Sequence, residues 1–355
     1  MQLGCGTLSS MVSVSKYLIH HRPNVITVSG FALNVIYFLV TLYYTGFSGS
    51  TNIPSWACYF SAFAYCLYIT LDNMDGKQAR RTKSSSPLGL LVDHGTDATT
   101  TFWITMGLGS ILYFSDGISY TYLWLMITFP FFLNTWEEYH TGELYLPIIH
   151  GVSEGMLLIA AAECISGYYG PSFWFQKFNI MGYEIQYNIA LALFGFTGGM
   201  FFGLMSIVKV CRFLGNRFLV GLKDCVIYVL LVSSYLLVLL KSDSTIAKDY
   251  PKILILTYGF CFARLMTMLQ LSHLMSAPYN PYTLSFLIPI MTNLIHTIVY
   301  IYTGKAFLFS IDVLIGVFFV WNFGMWCHCA YNVSEEMCII LNINRFSIGK
   351  RIKDQ

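Results

Sequence analysis

The sequence predicts an all-α integral membrane protein with about ten transmembrane helices. Of its 355 residues, 56% are hydrophobic and only 11% are charged, and the mean hydropathy is +0.60. A soluble domain carries about 25% charged residues, so this composition excludes the soluble, disordered and fibrous classes. The formal net charge of +2 provides no strongly basic surface. No nucleic-acid partner is therefore expected.

Stretches that are long enough to cross a membrane account for most of the chain. A spanning helix needs about 20 mainly apolar residues. The stretches of this kind lie near residues 25–46, 54–71, 90–114, 120–136, 149–168, 187–210, 219–240, 252–275, 282–303 and 307–330. The polar segments between them are too short to form a separate domain. We therefore expect a single transmembrane domain over residues 1–355.

The distribution of basic residues predicts the orientation of the spans. Cytosolic loops of membrane proteins are enriched in Lys and Arg. In this chain these residues collect in the connections at 72–89 and 209–218 and near both termini. Ten spans place both termini on one side of the membrane. We therefore expect the termini and these connections in the cytosol, with a cytosolic C-terminal tail over 331–355.

Four aspartates interrupt the apolar pattern where the second span ends and the third begins. Asp72 and Asp75 are three residues apart, and Asp93 and Asp97 are four apart, so each pair shares one face of a helix. Two antiparallel helices joined by a connection over 76–89 would bring the pairs face to face. An aspartate inside a bilayer costs about 2.5–3.5 kcal/mol, and neighbouring carboxylates also repel one another. Such a cluster requires a cation, and its all-oxygen chemistry suits Mg²⁺, Mn²⁺ or Ca²⁺, with room for two ions.

Small residues and one arginine accompany these aspartates. Gly76 and Gly89 lie on the metal-facing side, where the absence of a side chain leaves room for a bulky ligand. Ala79 is small for the same reason, and Arg80 can present a planar guanidinium to a phosphate. A single aspartate in this region could equally be an interfacial charge. The complete pattern instead favours a metal site that handles phosphate.

The complete pattern resembles the signature of the CDP-alcohol phosphotransferase family. The matching positions are Asp72, Asp75, Gly76, Ala79, Arg80, Gly89, Asp93 and Asp97. Further similarity, to the eukaryotic choline/ethanolamine phosphotransferase branch, is carried by Pro23-Asn24-x-Ile-Thr, Asp93-His94-Gly95 and Trp136-Glu137. The resemblance implies the helical bundle of that family, with the single transmembrane domain as the catalytic unit.

The resemblance also implies the reaction and its participants. Phosphocholine or phosphoethanolamine would be transferred from CDP-choline or CDP-ethanolamine to diacylglycerol, which yields phosphatidylcholine or phosphatidylethanolamine and CMP. The cofactor would be Mg²⁺ or Mn²⁺, with two ions. The protein would lie among the lipids of the endoplasmic reticulum or Golgi membrane with its active site facing the cytosol, and a homodimer is a common arrangement in the family.

Roles for individual residues are carried over from the same resemblance. Asp72, Asp75 and Asp93 would be metal ligands. Asp97 would be either a fourth ligand or the base that accepts the proton of the lipid hydroxyl. His94 is the other candidate base, because an unperturbed His pKa of about 6.5 suits proton transfer. The alternative for His94 is a packing role at a span end.

The remaining candidate residues would bind substrate or support the base. The substrate-binding candidates are Asn24, Gly76, Ala79, Arg80 and Gly89. Asn24 would contact the nucleotide or would only cap a helix. Glu137 would orient His94 or would be a solvated acid in a loop.

Two other functions are compatible with part of the pattern. Another CDP-alcohol phosphotransferase would use CDP-diacylglycerol and a soluble alcohol, but the ten spans and the matches at His94 and Glu137 disfavour it. A cation transporter would need polar groups throughout the membrane thickness, whereas these carboxylates crowd at one end. The choice between choline and ethanolamine is left open by the sequence.

Overall fold

Ten long helices lie in the part of the chain that the structure describes, near the ten apolar stretches of the sequence. The computed structural model describes residues 23–48, 53–143, 152–241, 244–307 and 309–346. Ten helices in these ranges have 18 residues or more. The prediction of an all-α, polytopic fold is confirmed.

The helices are numbered in chain order. They are α1 (Pro23–Thr45), α2 (Ser55–Arg81), α3 (Pro87–Ile111), α4 (Gly117–Thr141), α5 (Val152–Tyr169), α6 (Tyr187–Leu214), α7 (Phe218–Lys241), the short α8 (Thr245–Asp249), α9 (Pro251–Leu274), α10 (Leu284–Thr303) and α11 (Ile311–Leu341). Short 3₁₀ helices cover Pro171–Phe175 and Gly215–Arg217.

Five segments of the described chain are long and apolar enough to cross a membrane by length and composition. They are Pro23–Thr45, Tyr187–Lys241, Pro251–Leu274, Leu284–Thr303 and Ile311–Leu341. Together these segments contain α1, α6, α7, α9, α10 and α11. The other long helices, α2 to α5, carry Asp72, Asp75, Asp93 and Asp97 and many of the hydroxyl groups described below. Several apolar helices thus make this an integral membrane protein.

Helix α1 packs tightly against both helices that carry the aspartates. A Cβ atom at Gly30 would lie 3.3 Å from the ring of Tyr68 on α2. A Cβ atom at Gly107 of α3 would lie 2.4 Å from the ring of Tyr37 on α1. A side chain at Gly107 would overlap the ring of Tyr37, and one at Gly30 would make a tight contact that the ring of Tyr68 must yield to. Close packing of α1 therefore sets the spacing between α2 and α3.

Helix α9 occupies the centre of the bundle. It contacts α3, α4, α7 and α11, and most of its residues are buried. At its contact with α3, Gly259 accepts the ring of Phe102, whose nearest atom lies 2.7 Å from the position of a Cβ. This contact brings the last turns of α9 beside the first turns of α3.

Glycines also control the contact between α4 and α6. Pro130 cannot donate a backbone hydrogen bond, so it leaves the carbonyl of Met126 without its partner within α4. A Cβ atom at Gly199 would lie only 2.6 Å from the carbonyl oxygen of Met126. Glycine is therefore required at position 199 for this close approach of backbones.

Three boundaries differ from the sequence prediction. Residues 169–186, which lie between two of the predicted spans, contain an antiparallel hairpin of β1 (Lys177–Ile180) and β2 (Tyr183–Gln186), in which Lys177 pairs with Gln186. Helix α11 continues to Leu341, well into the segment expected as a tail from 331. Helix α2 continues past residue 71 to Arg81, because polar residues near a membrane surface remain compatible with a helix although they end an apolar run.

Candidate active site

A tight turn joins the two helices that carry the aspartates. Helix α2 ends in a turn in which Lys83 adopts a left-handed φ of 53° and the N–H of Ser84 donates to the carbonyl of Ala79 at 3.0 Å. Helix α3 then begins with the side chain of Ser86 accepting a hydrogen bond from the N–H of Gly89 at 3.1 Å. Both are standard ways to end and start a helix.

This turn makes the connection shorter than the sequence predicts. The expected connection over 76–89 is wrong, because only residues 82–86 lie between the helices. Both aspartate pairs consequently belong to regular helix, and their side-chain directions are set by the backbone. The antiparallel course of α2 and α3 is as expected, because Tyr68 meets Asp97 and Asp72 meets Asp93.

Three of the four predicted aspartates converge. Ligand oxygens of Asp72, Asp75 and Asp93 all lie within 4.8 Å of one another. Asp75 is 5% exposed, and Asp72 and Asp93 are half-buried. Asp97 lies outside this mutual group but is beside Asp72, within reach of its carboxylate. The geometry therefore joins three carboxylates directly and places the fourth next to them.

Two hydroxyl groups that the sequence reasoning did not assign orient these carboxylates. Thr27 of α1 donates a hydrogen bond to Oδ2 of Asp75. Tyr68 of α2 donates to Oδ1 of Asp97 at 2.6 Å. A signal was available for Tyr68, since it precedes Asp72 by four residues and so shares its helix face. Thr27 closes the Pro23-Asn24-x-Ile-Thr stretch and shares a face with Asn24.

A cavity of about 480 Å³ opens beside the carboxylates. The predicted site residues that line it are Asn24, Asp75, Gly76, Ala79, Arg80, Gly89 and Asp93. Three consecutive serines at 84–86 and Leu274 at the end of α9 complete part of its wall. The cavity thus combines an acidic side, a guanidinium and neutral hydroxyl groups.

The two signature glycines keep this cavity open. A Cβ atom at Gly76 would lie 3.7 Å from Nη1 of Arg80. A Cβ atom at Gly89 would lie 3.5 Å from both Oδ1 of Asn24 and Oγ of Ser86. A methyl group would be tolerated at either site, but a longer side chain would occupy the space between the guanidinium and the carboxylates.

His94 faces a different neighbour from the one expected. Because successive residues of a helix point about 100° apart, His94 points away from Asp93, and it lies near His273 at the end of α9. Nε2 of His273 lies 3.8 Å from Oε1 of Glu138 on α4. The sequence reasoning missed both His273 and Glu138, which only tertiary packing brings together.

The structure gives Glu137 a hydrogen-bond partner other than His94. Its Oε1 accepts a hydrogen bond from Nζ of Lys209 on α6 at 2.9 Å, and its side chain is almost fully buried. Within the described ranges, no hydrogen bond joins Glu137 to His94. The contact with Lys209 favours a structural role for Glu137 between α4 and α6.

The donor set of the cluster fits a hard divalent cation. Three carboxylates gathered within 4.8 Å would repel one another strongly in surroundings of low dielectric constant. All the offered ligand atoms are oxygens, which Mg²⁺, Mn²⁺ and Ca²⁺ prefer. The residues present are therefore suited to hold such an ion, and Asp97 lies beside this group.

Fold and site together define a polytopic helical membrane protein with a polar, acid-lined cavity at one end of its bundle. Residues 20–136 match the family described as CDP-alcohol phosphatidyltransferase. A Dictyostelium discoideum protein described as uncharacterized CDP-alcohol phosphatidyltransferase class-I family protein 1 is 30% identical over 331 residues, which cover 93% of this chain and 84% of the relative. The chain belongs to the CDP-alcohol phosphatidyltransferase family, as the signature residues indicate.

Relatives whose names specify a reaction have a similar sequence identity to this chain. Choline/ethanolaminephosphotransferase 1 of Arabidopsis thaliana is 29% identical over 358 residues, covering 93% of this chain and 88% of the relative. Cholinephosphotransferase 1 of Danio rerio is 28% identical over 284 residues, covering 75% of this chain and 71% of the relative. The similarity to such relatives extends well beyond the signature region.

Proposed function

We propose that this protein transfers phosphocholine or phosphoethanolamine from a CDP-amino-alcohol to diacylglycerol. The observation that carries the proposal is the convergence of Asp72, Asp75 and Asp93 beside a cavity that also contains Arg80. Relatives named choline/ethanolaminephosphotransferase and cholinephosphotransferase support this choice of substrates.

The three converging carboxylates would hold Mg²⁺ or Mn²⁺, with Asp97 as a further ligand of a second ion. When bound, such ions neutralise the negative charge of the diphosphate and of the departing CMP. Thr27 and Tyr68 contribute by fixing the orientation of Asp75 and Asp97. Preorganised ligands of this kind lower the cost of assembling the site.

Residues on the cavity wall would bind the donor substrate. The guanidinium of Arg80 can donate two hydrogen bonds to one phosphate. Gly76, Ala79 and Gly89 leave space for the diphosphate beside the carboxylates. Asn24 lies one helical turn before Thr27, lines the cavity and would contact the nucleotide.

The proposed reaction is a single phosphoryl transfer. The hydroxyl oxygen of diacylglycerol forms a bond to the phosphorus that carries the amino-alcohol, and the bond from that phosphorus to the bridging oxygen breaks. CMP leaves with this oxygen, and the hydroxyl proton must pass to a base. Asp97 and His94 are the two candidates, and Asp97 is the one beside the carboxylate cluster.

The cellular setting is part of the same proposal. A water-soluble CDP compound must reach the cavity from the cytosol, whereas diacylglycerol must arrive from within the bilayer. We therefore propose that the cavity opens to the cytosol in the membrane of the endoplasmic reticulum or Golgi. We also propose a homodimer, which is tested by measuring the mass of the purified protein in detergent.

The decisive experiment offers competing substrates to the purified protein. CDP-choline and CDP-ethanolamine, each labelled in the headgroup, are supplied with diacylglycerol and Mg²⁺. We expect labelled phosphatidylcholine or phosphatidylethanolamine, and the ratio of the two rates gives the headgroup preference. The Asp75→Asn protein serves as the control for contaminating activity.

A second part of this experiment tests the alternative reaction, in which CDP-diacylglycerol reacts with a soluble alcohol. CDP-diacylglycerol is supplied with labelled soluble alcohols such as inositol and glycerol 3-phosphate. Product in this arm, together with none from the CDP-amino-alcohols, would refute the proposed reaction. It would leave the membership of the family intact.

A further inference from the structure

The chain that follows α11 reaches the rim of the cavity. Asn24, in the first turn of α1, lines the cavity and is only 5% exposed. Its Nδ2 donates a hydrogen bond to the backbone carbonyl of Arg345 at 3.0 Å. The two residues are 321 positions apart, so this contact arises only from the tertiary fold.

A sharp turn brings Arg345 to this position. Helix α11 ends before Asn342, which adopts a left-handed φ of 52°. The N–H of Ile343 then donates to the carbonyl of Cys338 at 3.1 Å. This bond closes the helix in the manner of a Schellman motif and reverses the direction of the chain. Residues 343–346 consequently run back toward the start of α1.

An ion pair holds the returning segment against α11. Nη2 of Arg345 lies 3.0 Å from Oε2 of Glu335. The same guanidinium lies over the ring of Tyr331, with 5.6 Å between Cζ and the ring centroid. Both partners belong to α11, so the side chain of Arg345 fastens its own backbone to the helix that it has just left.

The contact with Arg345 determines which end of the Asn24 amide faces the cavity. A carbonyl oxygen can only accept hydrogen bonds, so the NH₂ end of Asn24 must point toward it. Oδ1 is then directed away from Arg345. It lies 3.5 Å from the place that a Cβ of Gly89 would take, on the cavity wall. Oδ1 of Asn24 therefore provides a hydrogen-bond acceptor on the cavity wall.

We propose that the segment around Arg345 is a positioning element for the nucleotide substrate. It holds Asn24 with Oδ1 toward the cavity, where this oxygen accepts a hydrogen bond from the nucleoside, either from a ribose hydroxyl or from an exocyclic amino group. The inference rests on the proposed function, since that function supplies a nucleotide to the cavity. Arg345 acts through Asn24 and is not itself a catalytic residue.

The first test loosens the ion pair without touching the cavity. Glu335→Gln and Arg345→Gln are compared with the double variant in which Glu335→Arg and Arg345→Glu exchange the charges. A partly exposed ion pair of this kind limits the effect to about a twofold to fivefold change. We expect a rise of that size in the KM for the CDP compound and in the Kd for CMP, with kcat and the KM for diacylglycerol unchanged. The exchanged pair should restore both constants.

A matched control comes from the hairpin. Lys177 and Glu184 form an ion pair of the same 3.0 Å length between exposed side chains. Glu184→Gln should therefore leave the Kd for CMP and both KM values unchanged. A change equal to that of Glu335→Gln would show a non-specific effect of charge and would overturn the proposal.

The second test acts on Asn24 directly. Asn24→Asp preserves the shape of the side chain but removes the N–H groups that bind the carbonyl of Arg345. We expect the Kd for CMP to rise about tenfold or more. The reason is that a carboxylate oxygen at position 24 would face the carbonyl oxygen of Arg345, and neither of these buried acceptors can donate a hydrogen bond. Binding of CMP, UMP and 2′-deoxy-CMP to the unmodified protein identifies the donor group: weaker UMP binding indicates the amino group, and weaker 2′-deoxy-CMP binding indicates the 2′-hydroxyl.

Failure of this inference can be separated from failure of the proposed function. Unchanged CMP affinity in the Glu335 and Arg345 variants, or equal changes in kcat and in both KM values, would refute the positioning role. CMP affinity that Asn24→Asp leaves unaltered would also refute it. Absence of lipid product from the unmodified protein would instead refute the proposed function, and the CMP binding measurements would still test the positioning role.

Discussion

Removal of the hydroxyl group of Tyr68 should slow headgroup transfer while leaving the fold intact. This hydroxyl donates to Oδ1 of Asp97 at 2.6 Å, and Tyr68 is only 4% exposed. A hydrogen bond to a charged group contributes about 1.5–3 kcal/mol. If this contribution holds Asp97 in its productive orientation, its loss corresponds to a rate decrease of about 10-fold to 160-fold. Tyr68→Phe keeps the ring that packs against Gly30.

The assay measures transfer from labelled CDP-choline or CDP-ethanolamine at saturating Mg²⁺ and diacylglycerol. Tyr65→Phe is the matched control, because Tyr65 lies on the same helix, is equally buried and stacks on Tyr68 with 6.2 Å between ring centroids. It should retain nearly full activity. A Tyr68→Phe rate within twofold of the unmodified protein would refute the role given to this hydroxyl. Equal losses in both variants would indicate a packing effect instead.

Three further predictions concern the metal site and the packing. Asp93→Asn should reduce transfer to the background rate, and excess Mg²⁺ should not restore it. The circular dichroism spectrum should stay unchanged, which shows that the fold is intact. Recovery of transfer at high Mg²⁺ would show that Asp93 is not needed as a ligand. Chelation with EDTA should abolish transfer by the unmodified protein, and added Mg²⁺ or Mn²⁺ should restore it; persistent activity would contradict a metal requirement. Gly199→Ala should destabilise the protein by about 1–3 kcal/mol, seen as a lower melting temperature in detergent, because its Cβ would lie 2.6 Å from the carbonyl oxygen of Met126. Gly198→Ala, with nothing within 4 Å of its Cβ, should melt like the unmodified protein.

The carboxylate cluster shows how much of the site can be predicted from the spacing of residues in the sequence. Intervals of three and four residues determine which side chains share a helix face, so the pairing of Asp72 with Asp75 could be predicted. The convergence of these two with Asp93 also required that α2 and α3 run in opposite directions, which the short turn between them permits. Asp97 was predicted with equal weight but lies just outside the mutual group.

The residues behind the cluster show where such reasoning stops. Glu137 and Glu138 are adjacent in sequence, yet Glu137 contacts Lys209 and Glu138 lies near His273. Adjacent residues of a helix point in directions about 100° apart, so the choice between them depends on the rotation of α4 within the bundle. No local pattern encodes that rotation, because it results from packing against α6 and α9.

The amino-acid sequence by itself determined that this is a helical membrane protein with a cluster of acidic residues on its second and third long helices. The composition indicates that the chain lies in a membrane, and the spacing of residues indicates which side chains share a helix face. Both can therefore be predicted without coordinates. Only the tertiary structure decided that Tyr68 and Thr27 orient the carboxylates and that Arg345 reaches Asn24. Those contacts join distant segments, and their geometry follows from the sum of many packing contacts that no single stretch of sequence contains.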